Sequence, residues 1–221
     1  MGVALFASTI VMTLVPVAWD AYTEYQASRV FPIVASPAQF EEIFGVVLST
    51  LEPLGEPPPP PEPGETPHPV EQKPIVFLDE TFAFCEDEAP GSSSCEPHVS
   101  GILYPGIDLQ IPLGFRRELV AANHAPTHIE CHESARVRCA KSETVFALLN
   151  KNGSWPNFYA TFPKTAGFVQ ASNIVLSKDR TTALAYIAYS CGLMCGSGTL
   201  VLLKRSEASW VVIKQVDVFD A

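Results

Sequence analysis

"TTALAYIAYSCGLMCGSGTLVLLKRS", Thr181 to Ser206, reads as two β-rich runs joined by a turn that holds two cysteines and three glycines. Within "LAYIAY", strand alternation puts Leu184, Tyr186 and Ala188 on one face and Ala185, Ile187 and Tyr189 on the other. Both faces are apolar, so this strand is expected at the centre of a sheet. "VQASNIVLS" precedes it and "SWVVIKQVDVFD" closes the chain, with turns at Lys178–Arg180 and Glu207–Ala208. Connections this short join antiparallel neighbours only. A four-run antiparallel meander from about Gln170 to Phe219 follows, with Tyr186, Ile187, Leu200, Leu202, Trp210 and Val212 buried. In the last run Trp210, Val212 and Lys214 alternate against Val211, Ile213 and Gln215, the pattern of a strand with one wetter face.

Upstream, the period changes. "SETVFALLNKNG" predicts a helix capped by Ser142, with Val145, Phe146, Leu148 and Leu149 on its apolar face and Asn152-Gly153 as its stop. "PLGFRRELVAAN" predicts a shorter helix that turns Leu113, Arg117, Val120 and Ala121 to one side and ends at Asn123. "PIVFLDETFAFCE" reads as a strand, and "SGILYPGIDLQIP" as a second with a turn at Pro105-Gly106. Helices ahead of, and packed on, an antiparallel meander define an α+β domain over 75–221.

Three segments precede that domain. Residues 1–19, "MGVALFASTIVMTLVPVAW", contain no charged side chain and read as a signal peptide or membrane anchor. Residues 20–50 form a helical segment: Ser36 is the N-cap, Pro37 the first helical residue, and Phe40, Ile43, Phe44, Val47 and Leu48 an apolar stripe. Residues 51–74 hold ten of the twenty prolines and several glutamates, the composition of an acidic, stiff, solvated linker. Such a spacer buries little, so a chain starting near Val70 is expected to match the longer one in stability.

The net charge of −10 is unevenly spread. Thirteen acids face one base, Lys73, between Glu41 and Glu96, whereas from Pro97 onward twelve bases face nine acids. Scattered Lys and Arg without a dense basic face give no grip on a phosphate backbone, which excludes nucleic acid as a partner.

The six cysteines fall in three close pairs, Cys85/Cys95, Cys131/Cys139 and Cys191/Cys195. An even count at short spacing suggests disulfides and an oxidising, extracytoplasmic compartment: periplasmic, secreted or membrane-anchored. Cys191 and Cys195 have three residues between them and lie between strands, with no basic residue from Thr182 to Lys204 to lower a thiolate pKa. A disulfide across a wide hairpin loop, with Gly192, Gly196 and Gly198 supplying positive φ, is the expected reading, and thiol-disulfide exchange is the rival. The glycine loop feeds a strand and lacks a Lys-Ser/Thr pair, so it is no phosphate cradle. In "NHAPTHIECHE", His124, His128 and His132 are candidate metal ligands, but Pro126 breaks the helix that would align them. On a strand His128, Glu130 and His132 would share one face and Ile129 and Cys131 the other. Ser197 lacks the strand-to-helix elbow of a serine nucleophile, and Trp155, Phe158, Tyr159 and Phe162 read as core edge. No catalytic residue and no cofactor is assigned.

From Trp155 to the end, the order "FYATFP…NIVLSKDRTTALAYIAYSCGLMCGSGTLVLLKRSEASWVVIKQVDVF" resembles a set of uncharacterised bacterial exported proteins. Their shared feature is an A-Y-x-x-Y-x-C-G-x-x-C-G-x-G turn between strands, followed by an L-L-K strand and a closing Trp strand. The resemblance implies an exported α+β domain and no particular activity. The sequence thus points to a non-catalytic exported or envelope-associated binding or structural domain, its ligand unnamed, stabilised by disulfides and spaced by its acidic Pro-rich linker from an apolar start that is either a signal peptide or a membrane tether. A metal-binding protein using His124, His128 and His132 and a thiol-disulfide protein using Cys191 and Cys195 are the alternatives.

Overall fold

The computed structural model describes residues 32–50, 73–84, 95–96, 99–103, 111–150, 155–207 and 209–220. The signal-or-anchor segment, the linker up to residue 72 and Cys85 lie outside them. Ten strands and five helices follow in the order β1 (Ile33–Val34), α1 (Pro37–Thr50), β2 (Ile75–Leu78), β3 (Ala83–Phe84), β4 (Cys95–Glu96), α2 (Val99–Leu103), α3 (Leu113–Ala122), β5 (Val137–Ala140), α4 (Ser142–Asn150), α5 (Trp155–Thr161), β6 (Phe168–Ala171), β7 (Val175–Leu176), β8 (Thr182–Gly192), β9 (Cys195–Ser206) and β10 (Ser209–Asp220), counted among the described residues.

The meander is present. β6 and β7 together line one edge of β8, β9 lines the other, and β10 follows β9, all antiparallel. Tyr186, Ile187, Leu200, Leu202 and Trp210 are buried, and Val212 is half-buried. The wetter face of β10 is the expected one, with Val211 and Ile213 exposed. An extra residue between Val212 and Lys214 then switches the strand's inward side. Trp210 and Val212 pack on one face of the sheet, while Val216 and Val218 pack on the other.

The sheet is mixed, which the sequence reading did not anticipate. β2 runs parallel to both β5 and β6 and lies between them. All four residues of its "IVFL" are buried, as a parallel strand covered on both faces requires. Ile75 and Phe77 point toward α1, Val76 and Leu78 toward α4 and α5. β1 adds to β7 at another edge, and β3 and β4 form a separate two-stranded ribbon.

Helices cover both faces. On one, α1 lays Phe40, Ile43, Phe44 and Val47 over Ile75, Phe77, Ala185, Ile187 and Leu203, with the Phe44 and Phe77 rings 4.5 Å apart. Its start is a capping box: Gln39 N–H donates to Ser36 Oγ at 3.4 Å, and Ser36 N–H donates to Gln39 Oε1 at 3.1 Å. The compact unit that begins at Pro32 includes α1, which contributes Phe40, Ile43, Phe44 and Val47 to its core. This overturns the expectation that a chain starting near Val70 keeps its stability, because such a chain lacks α1. On the opposite face α2 and α3 pack over Leu184, Tyr186, Leu200 and Leu202, and α4 and α5 pack over Val76, Leu78 and Phe168.

Local corrections share one cause, tertiary context. Val99–Leu103 is a short helix, not a strand, because Ile102 turns into the core and Gly101 lies against Val218. In α3 the buried side is Arg116, Leu119 and Val120, one register step from the predicted stripe. Arg116 donates to the carbonyls of Ile102 (2.7 Å) and Ile111 (3.2 Å), so its guanidinium ties α2 to the start of α3. Ser142 does not cap α4. Asp79 Oδ1, just past β2, accepts from Ser142 N–H at 2.8 Å, and Ser142 Oγ is buried with no partner among the described residues.

Candidate functional site

The β8–β9 hairpin is the feature of the described surface that invites contact. Gly192 pairs with Cys195, so Leu193 and Met194 alone form the turn. Each is 84% exposed, against 52% for the next most exposed large apolar residue, Ile213. Turn positions normally go to Gly, Asn, Asp, Pro or Ser. Two large apolar side chains held in water there cost solubility, and they belong to none of the core clusters of the described residues.

The neck below this tip is cross-braced. Cys191 and Cys195 are bridged, with Cα atoms 5.1 Å apart. Tyr159 of α5 donates its hydroxyl to the Cys191 carbonyl at 2.8 Å, and Tyr189 donates to Ala166 at 2.6 Å. Burial raises the pKa of both phenols, that of Tyr189 to about 12 with Tyr159 as a second cause. Gly167, at φ 138°, lets the strand start against Ser190, whose carbonyl oxygen a Cβ there would strike. The loop is tight, not wide, and none of Gly192, Gly196 and Gly198 has the positive φ expected of them. Close approach explains two of them: a Cβ on Gly196 would lie 2.8 Å from the Tyr189 carbonyl oxygen, and one on Gly198 would strike the Tyr186 and Phe219 side chains.

No protein family, curated protein or solved structure matches this chain.

The other sequence candidates divide clearly. Cys131 and Cys139 are bridged, closing the irregular segment before β5, whereas the Cys85/Cys95 pairing lies outside the described residues. The strand-like alternation of the histidine segment is real: Ile129 is buried and Cys131 half-buried, while His128, Glu130 and His132 are exposed. Its histidines are not brought together on one site. His124 Nδ1 lies 3.1 Å from the Ala121 carbonyl, His128 Nδ1 3.9 Å from Asp79 Oδ2, and His132 Nδ1 3.2 Å from Glu41 Oε1 on α1. Among the described residues no three His, Cys, Asp or Glu side chains form a metal-ligand group. Phe158 is fully buried, and Trp155, Tyr159 and Phe162 pack round it as core edge.

Sequence reasoning missed two things. One is the tip itself, although "GLMC" shows two large apolar residues where a turn wants small polar ones. The other is a buried polar clasp at the break between β6 and β7. Asn123 Oδ1 accepts from Asn173 N–H at 2.6 Å, Asn173 Nδ2 donates to Ala122 and Thr127, and Gln170 Nε2 donates to the Glu80 and Thr81 carbonyls. The clasp bonds loop backbone that would otherwise be buried unpaired, and its role is structural.

Proposed function

We propose that this protein is an extracytoplasmic, non-catalytic domain that works by contact, and that the Leu193–Met194 tip is its contact surface. The observation that carries the reading is the pair of 84% exposed apolar side chains at the end of a bridged two-residue turn. Two disulfides in one small domain favour an oxidising compartment, in keeping with the apolar, uncharged residues 1–19. The bridge serves stiffness here: ordering the tip in advance lowers the entropy lost on binding.

The test is a thiol and metal inventory of the natively purified chain. Alkylation before reduction should leave Cys131, Cys139, Cys191 and Cys195 unmodified, and alkylation after reduction should label all four. Native thiols at Cys191 and Cys195 that exchange with a dithiol would favour the thiol-disulfide alternative. Stoichiometric metal lost on replacing His128 and His132 would favour the metal alternative.

A further inference from the structure

The tip is narrow, convex and uncharged. Its flanking residues, Ser190, Gly192, Gly196 and Ser197, carry little side chain to widen an apolar surface. A stable protein–protein contact buries roughly 800 Å² on each partner, far more than two side chains supply. A fluid bilayer asks for no matching shape, because lipid closes round whatever apolar group enters. It does require that backbone polar groups entering it are already bonded. The Gly192–Cys195 pairing meets that condition next to the turn. No Lys, Arg, Asp or Glu occurs between Thr182 and Lys204, so the hairpin desolvates no charge on entry and has no attraction to anionic headgroups.

We propose that Leu193 and Met194 form a wedge that enters the headgroup–acyl boundary of a neutral, zwitterionic phospholipid bilayer. This rests on the reading of the protein as an extracytoplasmic contact domain.

The test uses the full chain and phosphatidylcholine vesicles with and without brominated acyl chains. Flotation reports attachment. Quenching of a Leu193→Trp variant beyond that of the native chain reports the depth of the tip, and Met194→Trp repeats the measurement should the first variant fold poorly. The expected result is flotation of every chain, with a blue shift and an added loss of fluorescence in the variants only. Flotation without added quenching overturns the wedge and assigns attachment to another part of the chain. Failure of the native chain to float overturns it as well. Flotation on anionic vesicles alone overturns the neutral-lipid assignment. Capture of a protein by the native tip but not by a Leu193→Ser/Met194→Ser chain, with no quenching by lipid, assigns the tip to a protein and overturns the wedge.

Discussion

The hydroxyl of Tyr159 donates to the carbonyl of Cys191 at 2.8 Å, bolting helix α5 to the neck of the β8–β9 hairpin. The bridge to Cys195 closes that neck from the other side, and Tyr189 anchors β8 to the Ala166 carbonyl one layer below. Leu193 and Met194 are thus presented on a support fixed at three points.

Tyr189 makes stability pH-dependent at the alkaline end. Its phenol must be protonated to donate to Ala166, and burial holds its pKa at about 12, against an ordinary 10.0. Between those values the unfolded chain releases a proton that the folded chain keeps, so stability is full below pH 10 and falls as pH rises through the window. The urea midpoint should hold up to about pH 10 and drop between about pH 10 and pH 12. Tyr189→Phe should flatten that drop while costing about 1 kcal/mol at neutral pH.

Helix α1 belongs to the core. Ile43 and Val47 are fully buried, and Phe40 and Phe44 nearly so. At about 1.5–3 kcal/mol each, the four side chains contribute roughly 6–12 kcal/mol, comparable to the whole stability of an ordinary domain. A chain starting at Val70 should show no cooperative unfolding transition by calorimetry. Within the full chain, Ile43→Ala should cost about 2–5 kcal/mol.

The two bridges should contribute unequally. The Cys191–Cys195 loop, sequence separation 4, is worth about 2 kcal/mol by loop entropy, and the Cys131–Cys139 loop, separation 8, about 2.5 kcal/mol. Paired Ser substitutions followed by denaturant unfolding check both figures. Reducing the first bridge should loosen the neck and leave the sheet intact, because Ala183–Tyr189 is held by neighbours on both edges.

What the sequence disclosed follows from periodicity. The meander was legible because strict alternation in "LAYIAY" and short polar turns leave one solution. The α1 stripe at Phe40, Ile43, Phe44 and Val47 was legible for the same reason at helical period. The parallel pairing of β2 was not: "IVFL" is too short to show a period, and its partners at Val137 and Phe168 lie far along the chain. Distance also hid the capping of α4, whose acceptor Asp79 lies 63 residues before Ser142. At the candidate site the cysteines drew attention to the turn, but exposure decides its role. The Gly192–Cys195 register and the exposure of Leu193 and Met194 place both side chains in solvent at the end of the hairpin.

The most direct measurement is the rate of Met194 oxidation by dilute peroxide, followed by mass spectrometry of the peptide that contains it. The thioether takes one oxygen, peroxide leaves as water, and the rate depends on access to the sulfur. In the free chain Met194 should oxidise as fast as in the unfolded chain, and neutral phosphatidylcholine vesicles should slow it several-fold. Slow oxidation in the free chain, or a rate that vesicles do not change, would contradict a tip that stands in water until it meets a bilayer.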